Sequence, residues 1–352
     1  MQSKEEIIQS FDPNAPGGSH GLFGLPFPIE HAEVVIVPIP WEVTVSYHTG
    51  TAQAPRAVLE ASKQVDLFVK DIPDAWKLGI AMQPIPENLV GESNKLRELS
   101  AQYIKALEEG TLFNPTDPVL SMINEACENL NIYVKSATQR YLREGKLVGL
   151  LGGDHSTPLG FIRALSERYE RFGVLQIDAH ADLRKAYEGF TYSHASIMYN
   201  ALKIPAVNRL VQVGIRDYCE EEMQVISRAM GRVVTFFDAD IKASQYAGNT
   251  WDSICDQIIQ QLPDLVYISF DIDGLDPKLC PNTGTPVAGG FEFEQIVYLI
   301  KKLVKANKKI IGFDLNEVAP GDNDWDANVG ARMLYNLCNW MAVSQKKLGV
   351  SS

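Results

Sequence analysis

From about residue 147 onward, short runs of aliphatic and β-branched residues alternate with longer amphipathic stretches. The apolar runs are LVGLL (147–151), FGVLQI (172–177), RLVQVGI (209–215), RVVTFF (232–237), DLVYISF (264–270) and KIIGFDL (309–315), and an earlier run, EVVIVPIP (33–40), adds a strand at the start. Helical stretches are expected near 157–169, 219–230, 250–262, 292–306 and 327–345. This alternation predicts an α/β fold, a central parallel sheet flanked by helices. Residues 1–30, rich in Gly and Pro, read as an irregular arm. The stretch 70–118, with a helical segment near 92–109, reads as an insertion on the sheet's rim. Residues 31–350 then form a single domain around one sheet.

Composition narrows the function classes. The 352 residues are 45% hydrophobic and 22% charged, as in ordinary globular proteins. The formal net charge is −12 and there is no long run of Lys or Arg, so the electrostatic footprint of a nucleic-acid binder is missing. No apolar run approaches membrane-spanning length, which argues against a membrane partner. Five cysteines are scattered without a C-x-x-C pair, so a disulfide framework is not expected. Met1–Pro16 carries Lys4, Glu5, Glu6 and Asp12 rather than a basic region followed by an apolar one, unlike a secretory signal. The expected compartment is reducing and cytoplasmic.

Three segments place His or Asp directly after a strand-like run: GGDHS (152–156), DAHAD (178–182) and DID (271–273). Open parallel sheets build their sites there, beyond the carboxyl ends of the strands. The candidates are His155, Asp178, His180, Asp182, Asp271 and Asp273. Four converging carboxylates would repel one another and be costly to desolvate. Two divalent cations would bring four positive charges against them. Residues i and i+2 of a strand share a face, so Asp178 with His180, and Asp271 with Asp273, can point together if these segments stay extended.

GGDHS, DAHADLR followed by YSHAS, SFDIDGLDP with TGTPVAGG, and DLNEVAP resemble the successive signature blocks of the ureohydrolases, the arginases, agmatinases and their relatives. They run from Leu151 to Pro320 in that family's order. The resemblance implies a three-layer arginase-like fold, assembly as a homotrimer or homohexamer, and two divalent ions per chain. His155 and Asp182 would bind one ion, His180 and Asp273 the other, with Asp178 and Asp271 bridging. Besides Asp182, the catalytic groups implied are His194 in YSHAS, the proton shuttle, and Glu317 in NEVAP, which holds the substrate guanidinium. A hydroxide held by the two ions would attack the guanidinium carbon and release urea. Oxygen-rich ligation with two imidazoles suits Mn²⁺ better than Zn²⁺ or Cu²⁺, and Ni²⁺ is also compatible.

The arginase pattern is not followed throughout. Arginases carry Asn and Ser after the second metal motif to grip the substrate's amino-acid head group. This chain has LRKAYEGFTYSHAS, with Arg184 at the Asn position, and is closer to agmatinases. A small cationic guanidino substrate without that head group is expected. Agmatine comes first, with guanidine or 4-guanidinobutyrate favoured if Arg184 points into the pocket. A formiminoglutamate hydrolase, a one-zinc deacetylase and an inactive scaffold relative are the competing classes. The segment 40–62 suggests a rim loop followed by a helix, with Glu42, Tyr47, His48 and Thr49 as contacts. Arg184, Phe291 and Trp325 are further substrate-pocket candidates.

Overall fold

The computed structural model describes residues 2–15, 18, 21–111 and 117–350. Eight strands form one sheet: β1 (Val34–Pro38), β2 (Ile80–Met82), β3 (Leu147–Leu151), β4 (Phe172–Ile177), β5 (Val207–Ile215), β6 (Val233–Phe237), β7 (Leu265–Asp271) and β8 (Lys309–Asn316). Their spatial order is β2-β1-β3-β8-β7-β4-β5-β6, and every pairing is parallel. The α/β expectation is met, and all seven apolar runs are strands.

Alternation along the strands creates two cores. Val34, Ile36, Leu175, Ile177, Ile268 and Phe270 point to one face, where they pack with residues of helices Ala54–Ser62, Trp251–Gln260, Phe293–Lys305 and Trp325–Ser344. Val35, Val37, Val148, Leu150, Val174 and Tyr267 point to the other, against helices Glu87–Glu108, Pro118–Arg143 and Leu159–Ser166. Because helices cover both faces, β1, β3 and β4 are buried at every position. Strand β6 is an edge and stays half-buried.

Some elements depart from the pattern expected. The stretch 70–118 contributes a strand, β2, paired to β1 over three residues. The helix Pro118–Arg143 was not foreseen, nor was the short helix Asp238–Tyr246. The N-terminal arm opens with a helix, Lys4–Ser10, closed by a capping box between Ser3 and Glu6.

The chain leaves β3 and returns three strands away at β4, with β8 and β7 filling the gap. This reversal of strand order opens a crevice at the carboxyl ends of β3, β8, β7 and β4, four neighbours at the centre of the sheet.

Candidate metal centre

Each central strand delivers its chemistry at or just past its last residue. Strand β3 runs into GGDHS, and a Cβ on Gly153 would lie 2.0 Å from the Trp41 carbonyl oxygen, so only glycine lets the chain pass there to His155. Strand β4 leads to Asp178, His180 and Asp182, β7 to Asp271 and Asp273, and β8 to Glu317. Asp182 and Glu317 both adopt left-handed backbone conformations, φ 54° and 63°. Such geometry is uncommon outside glycine and persists where its surroundings hold it. The Asp182 carbonyl accepts the amides of Met198 and Tyr199, and the Glu317 amide donates to the Gly153 carbonyl.

The structure brings all six expected ligands together. His155 Nδ1 lies 3.0 Å from Asp178 Oδ2, 3.0 Å from Asp182 Oδ2 and 3.3 Å from Asp271 Oδ2. His180 Nδ1 lies 2.9 Å from Asp273 Oδ2 and 3.6 Å from Asp178 Oδ1. Two overlapping triads result, His155–Asp178–Asp271 and Asp178–His180–Asp273, each with its ligand atoms within 4.8 Å of one another. Asp178 belongs to both, one oxygen toward each imidazole. Asp271, expected to bridge as well, belongs to the first triad only, and its Oδ1 accepts the Asp273 amide.

The electrostatics call for cations. Burial, followed by the Asp178 charge, pushes the Asp182 carboxyl up to about 7. Burial together with the charges of Asp273 and Asp178 drives Asp271 well above the usual carboxylate range. Burial alone would lower both imidazoles, but the surrounding aspartates hold His155 and His180 well above the usual histidine value. His155 Nδ1 is buried yet makes no hydrogen bond, although three carboxylate oxygens stand around it. Once deprotonated, that nitrogen together with the three carboxylates around it forms the donor set of a hard or borderline divalent cation.

A second layer lies beneath the ligands. Gln176, Ser269 and Asp314 stand side by side on β4, β7 and β8, with Gln212 and Thr235 continuing the row onto β5 and β6. His155 Nε2 meets Ser269 Oγ at 2.9 Å, and Ser269 Oγ donates to Asp314 Oδ1 at 3.1 Å. Gln176 donates to Asp178 Oδ2 at 2.8 Å and accepts from Gln212. These partners fix ring and carboxylate orientation, as outer partners of metal ligands do. The sequence carried their signal: Gln176 and Ser269 lie two residues before Asp178 and Asp271, on the same strand faces.

Beside this centre opens a cleft of about 130 Å³, lined by Ser46, His180, Asp182, Arg184, Tyr187, His194, Ala195, Asp217, Tyr218, Glu222 and Thr285. Burial, then the positive charges of His180 and His155, lowers the His194 imidazole to about 3, so it is neutral at working pH rather than titrating near it. Glu317 lies below the 283–285 turn, where its Oε1 accepts the His155 amide at 2.8 Å and Thr283 bonds its carbonyl. Burial and the nearby Asp154 charge raise its carboxyl well above the usual range.

The remaining rim candidates fall elsewhere. His48 is exposed and stacked on Tyr47 at 4.1 Å, and Thr49 is exposed as well; neither lines the cleft. Glu42 caps the following turn, accepting the amides of Gly50 and Ala52. Phe291 is fully buried against Trp251, and the Trp325 indole donates to the Lys278 carbonyl, so both sit outside the cleft lining. Ser46, Tyr187, Asp217, Tyr218, Glu222 and Thr285 were not foreseen. Asp217 follows β5 directly and obeys the same strand-end rule as the ligands.

The arginase family model matches residues 32–339. The chain belongs to the arginase family. Members of this family and the curated relatives are ureohydrolases, hydrolases of carbon–nitrogen bonds in linear amidines. The chain is 30% identical over 315 residues to the N(1)-aminopropylagmatine ureohydrolase of Thermus thermophilus, covering 88% of this chain and 90% of that one. It is 28% identical to the agmatinase of Bacillus anthracis over 83% of this chain and 85% of that one. The crystal structure of agmatine ureohydrolase of Thermoplasma volcanium superposes with a TM-score of 0.70 at 23% identity, covering 97% and 99% of the two chains, a likeness of fold. Among the described residues of this arginase-family chain, no helix is long and apolar enough to cross a membrane.

Proposed function

We propose that this protein is a dinuclear metal-dependent ureohydrolase that releases urea from a guanidino compound lacking an α-amino-acid head group. The observation that carries this is the pair of ligand triads joined through Asp178, one oxygen toward each histidine. His155, Asp178, Asp182 and Asp271 would hold one divalent ion and His180, Asp178 and Asp273 the other, Mn²⁺ or Ni²⁺. Bound there, the ions would supply Lewis-acid activation of a water and compensate the carboxylate charge.

The residues of the chain divide the remaining work. Guanidinium is a resonance-stabilised cation, so it must be held against its nucleophile. Glu317, a buried carboxyl short of partners, gains from an incoming cation by charge-assisted hydrogen bonding. One of its oxygens is already engaged by the His155 amide, which fixes the carboxylate plane. Water adds its oxygen to the guanidinium carbon and the bond to the chain nitrogen breaks. The leaving nitrogen takes up the two water protons and departs as an ammonium, while the carbon leaves as urea. His194 faces the cleft beside His180 and Asp182, where it is placed to relay one of those protons.

Relatives named agmatinase and N(1)-aminopropylagmatine ureohydrolase support a guanidine carried on an aliphatic chain. The test is urea release from arginine, agmatine, 4-guanidinobutyrate and guanidine in the presence of Mn²⁺ or Ni²⁺. Urea from one or more non-amino-acid guanidines is expected, and a clear preference for arginine would contradict the proposal.

A further inference from the structure

Arg184 is the one side-chain cation among the residues lining the cleft that neither sits among the metal ligands nor resembles the shuttle. Its guanidinium lies over the Tyr187 ring, 4.8 Å from the centroid, and its Nε is 4.0 Å from Glu222 Oε2. Glu222 is buried and already committed: Oε1 accepts the Leu183 amide and Oε2 the Cys219 amide, both at 2.9 Å. The Arg184 backbone is tied to the Ala195 carbonyl, next to His194. Its head is therefore oriented by a ring and a buried charge. Among the described residues its side chain donates no hydrogen bond to the protein, so its planar fork of N–H groups is left for a ligand.

We propose that Arg184 recognises a carboxylate at the far end of the substrate, making this cleft selective for short ω-guanidino acids over guanidines that end in an ammonium. The inference rests on the ureohydrolase function above and names its substrate class. A guanidinium and a carboxylate pair bidentately, whereas a terminal ammonium brought to the same place meets like charge. Size agrees: about 130 Å³ lies well below the several hundred Å³ of ordinary ligand pockets, which suits a chain of a few carbons. Asp217, also on the rim and largely exposed, is the group that would favour an ammonium instead.

The experiment compares 4-guanidinobutyrate with agmatine and arginine in the wild type, Arg184→Gln and Arg184→Glu, by kcat/KM for urea release and by calorimetric Kd. The wild type is expected to favour the acid. Arg184→Gln is expected to lower the acid-to-agmatine ratio roughly 10- to 100-fold, the worth of one charged hydrogen-bonding partner, chiefly through KM and Kd. Arg184→Glu should invert the preference, which separates recognition from a general loss of folding. A wild-type preference for agmatine or arginine, or a ratio that neither variant moves, overturns the proposal. If no compound yields urea, the ureohydrolase function fails, and calorimetry still decides: Arg184-dependent binding of the acid sustains the carboxylate site, and its absence sinks it.

Discussion

His155 is bonded on one side and bare on the other. Ser269, backed by Asp314, occupies Nε2 and turns Nδ1 toward three aspartates. Ser269→Ala frees the ring to rotate and change tautomer, and should weaken metal affinity by roughly 10–100-fold while leaving the fold intact. Competition with a chelator, read by elemental analysis, measures this; unaltered affinity would remove Ser269 from the centre. His194 makes the opposite prediction. It is close to the ligands without belonging to either triad, so His194→Ala should retain metal and lower turnover by roughly 10²–10⁴. Full activity would leave water as the proton carrier.

At the scale of elements, legibility followed burial. Strands β3, β4, β7 and β8 were readable because helices on both faces demand near-continuous apolar runs, and the ends of β3, β4 and β7 located the six candidate ligands. Strand β2 was not readable: three residues, paired to β1 alone, leave no periodicity to detect. Helix Pro118–Arg143 carried a signal that went unused, with Asp117 capping the Val119 amide, proline at the first turn, and Leu120, Ile123, Cys127, Leu130 and Val134 at helical spacing. The cleft rim was least legible, because Tyr187, Glu222 and Thr285 come from loops and a helix whose approach depends on tertiary packing. Helix Leu159–Ser166 links element to site: it follows His155 closely and inserts Phe161 edge-on to Tyr267 of β7, centroids 5.4 Å apart. Phe161→Ala should cost about 3–5 kcal/mol, typical of a fully buried aromatic, and appear as a large fall in melting temperature. A shift within about 0.5 kcal/mol would mean that this helix is not anchored by its ring.

Across the whole molecule the centre couples metal, proton and stability. Without metal, the Asp182 carboxyl keeps its proton from its ordinary 3.8 up to about 7, where the unfolded chain has already released it. His155 and His180, which burial would lower, are held protonated above their ordinary 6.5 by the surrounding aspartates. The metal-free folded state thus binds more protons than the unfolded chain and loses stability as pH rises through this range. Asp178, which burial would raise but whose imidazole neighbours outweigh that burial and hold it below the usual range, acts the other way, but its contribution is complete above about pH 4. Divalent ions bound at this cluster would replace these protons. The gain in melting temperature on adding Mn²⁺ should therefore grow from about pH 5 to about pH 8, and a gain that is flat or shrinks would show that the aspartate–histidine cluster is not where the ions bind.

The most direct test adds Mn²⁺ stepwise to the metal-free protein and follows urea release from a saturating guanidino substrate. Two triads joined through Asp178 lead to release that rises to a plateau at two ions per chain. A plateau at one ion per chain, or urea release that needs no metal, would contradict a dinuclear centre.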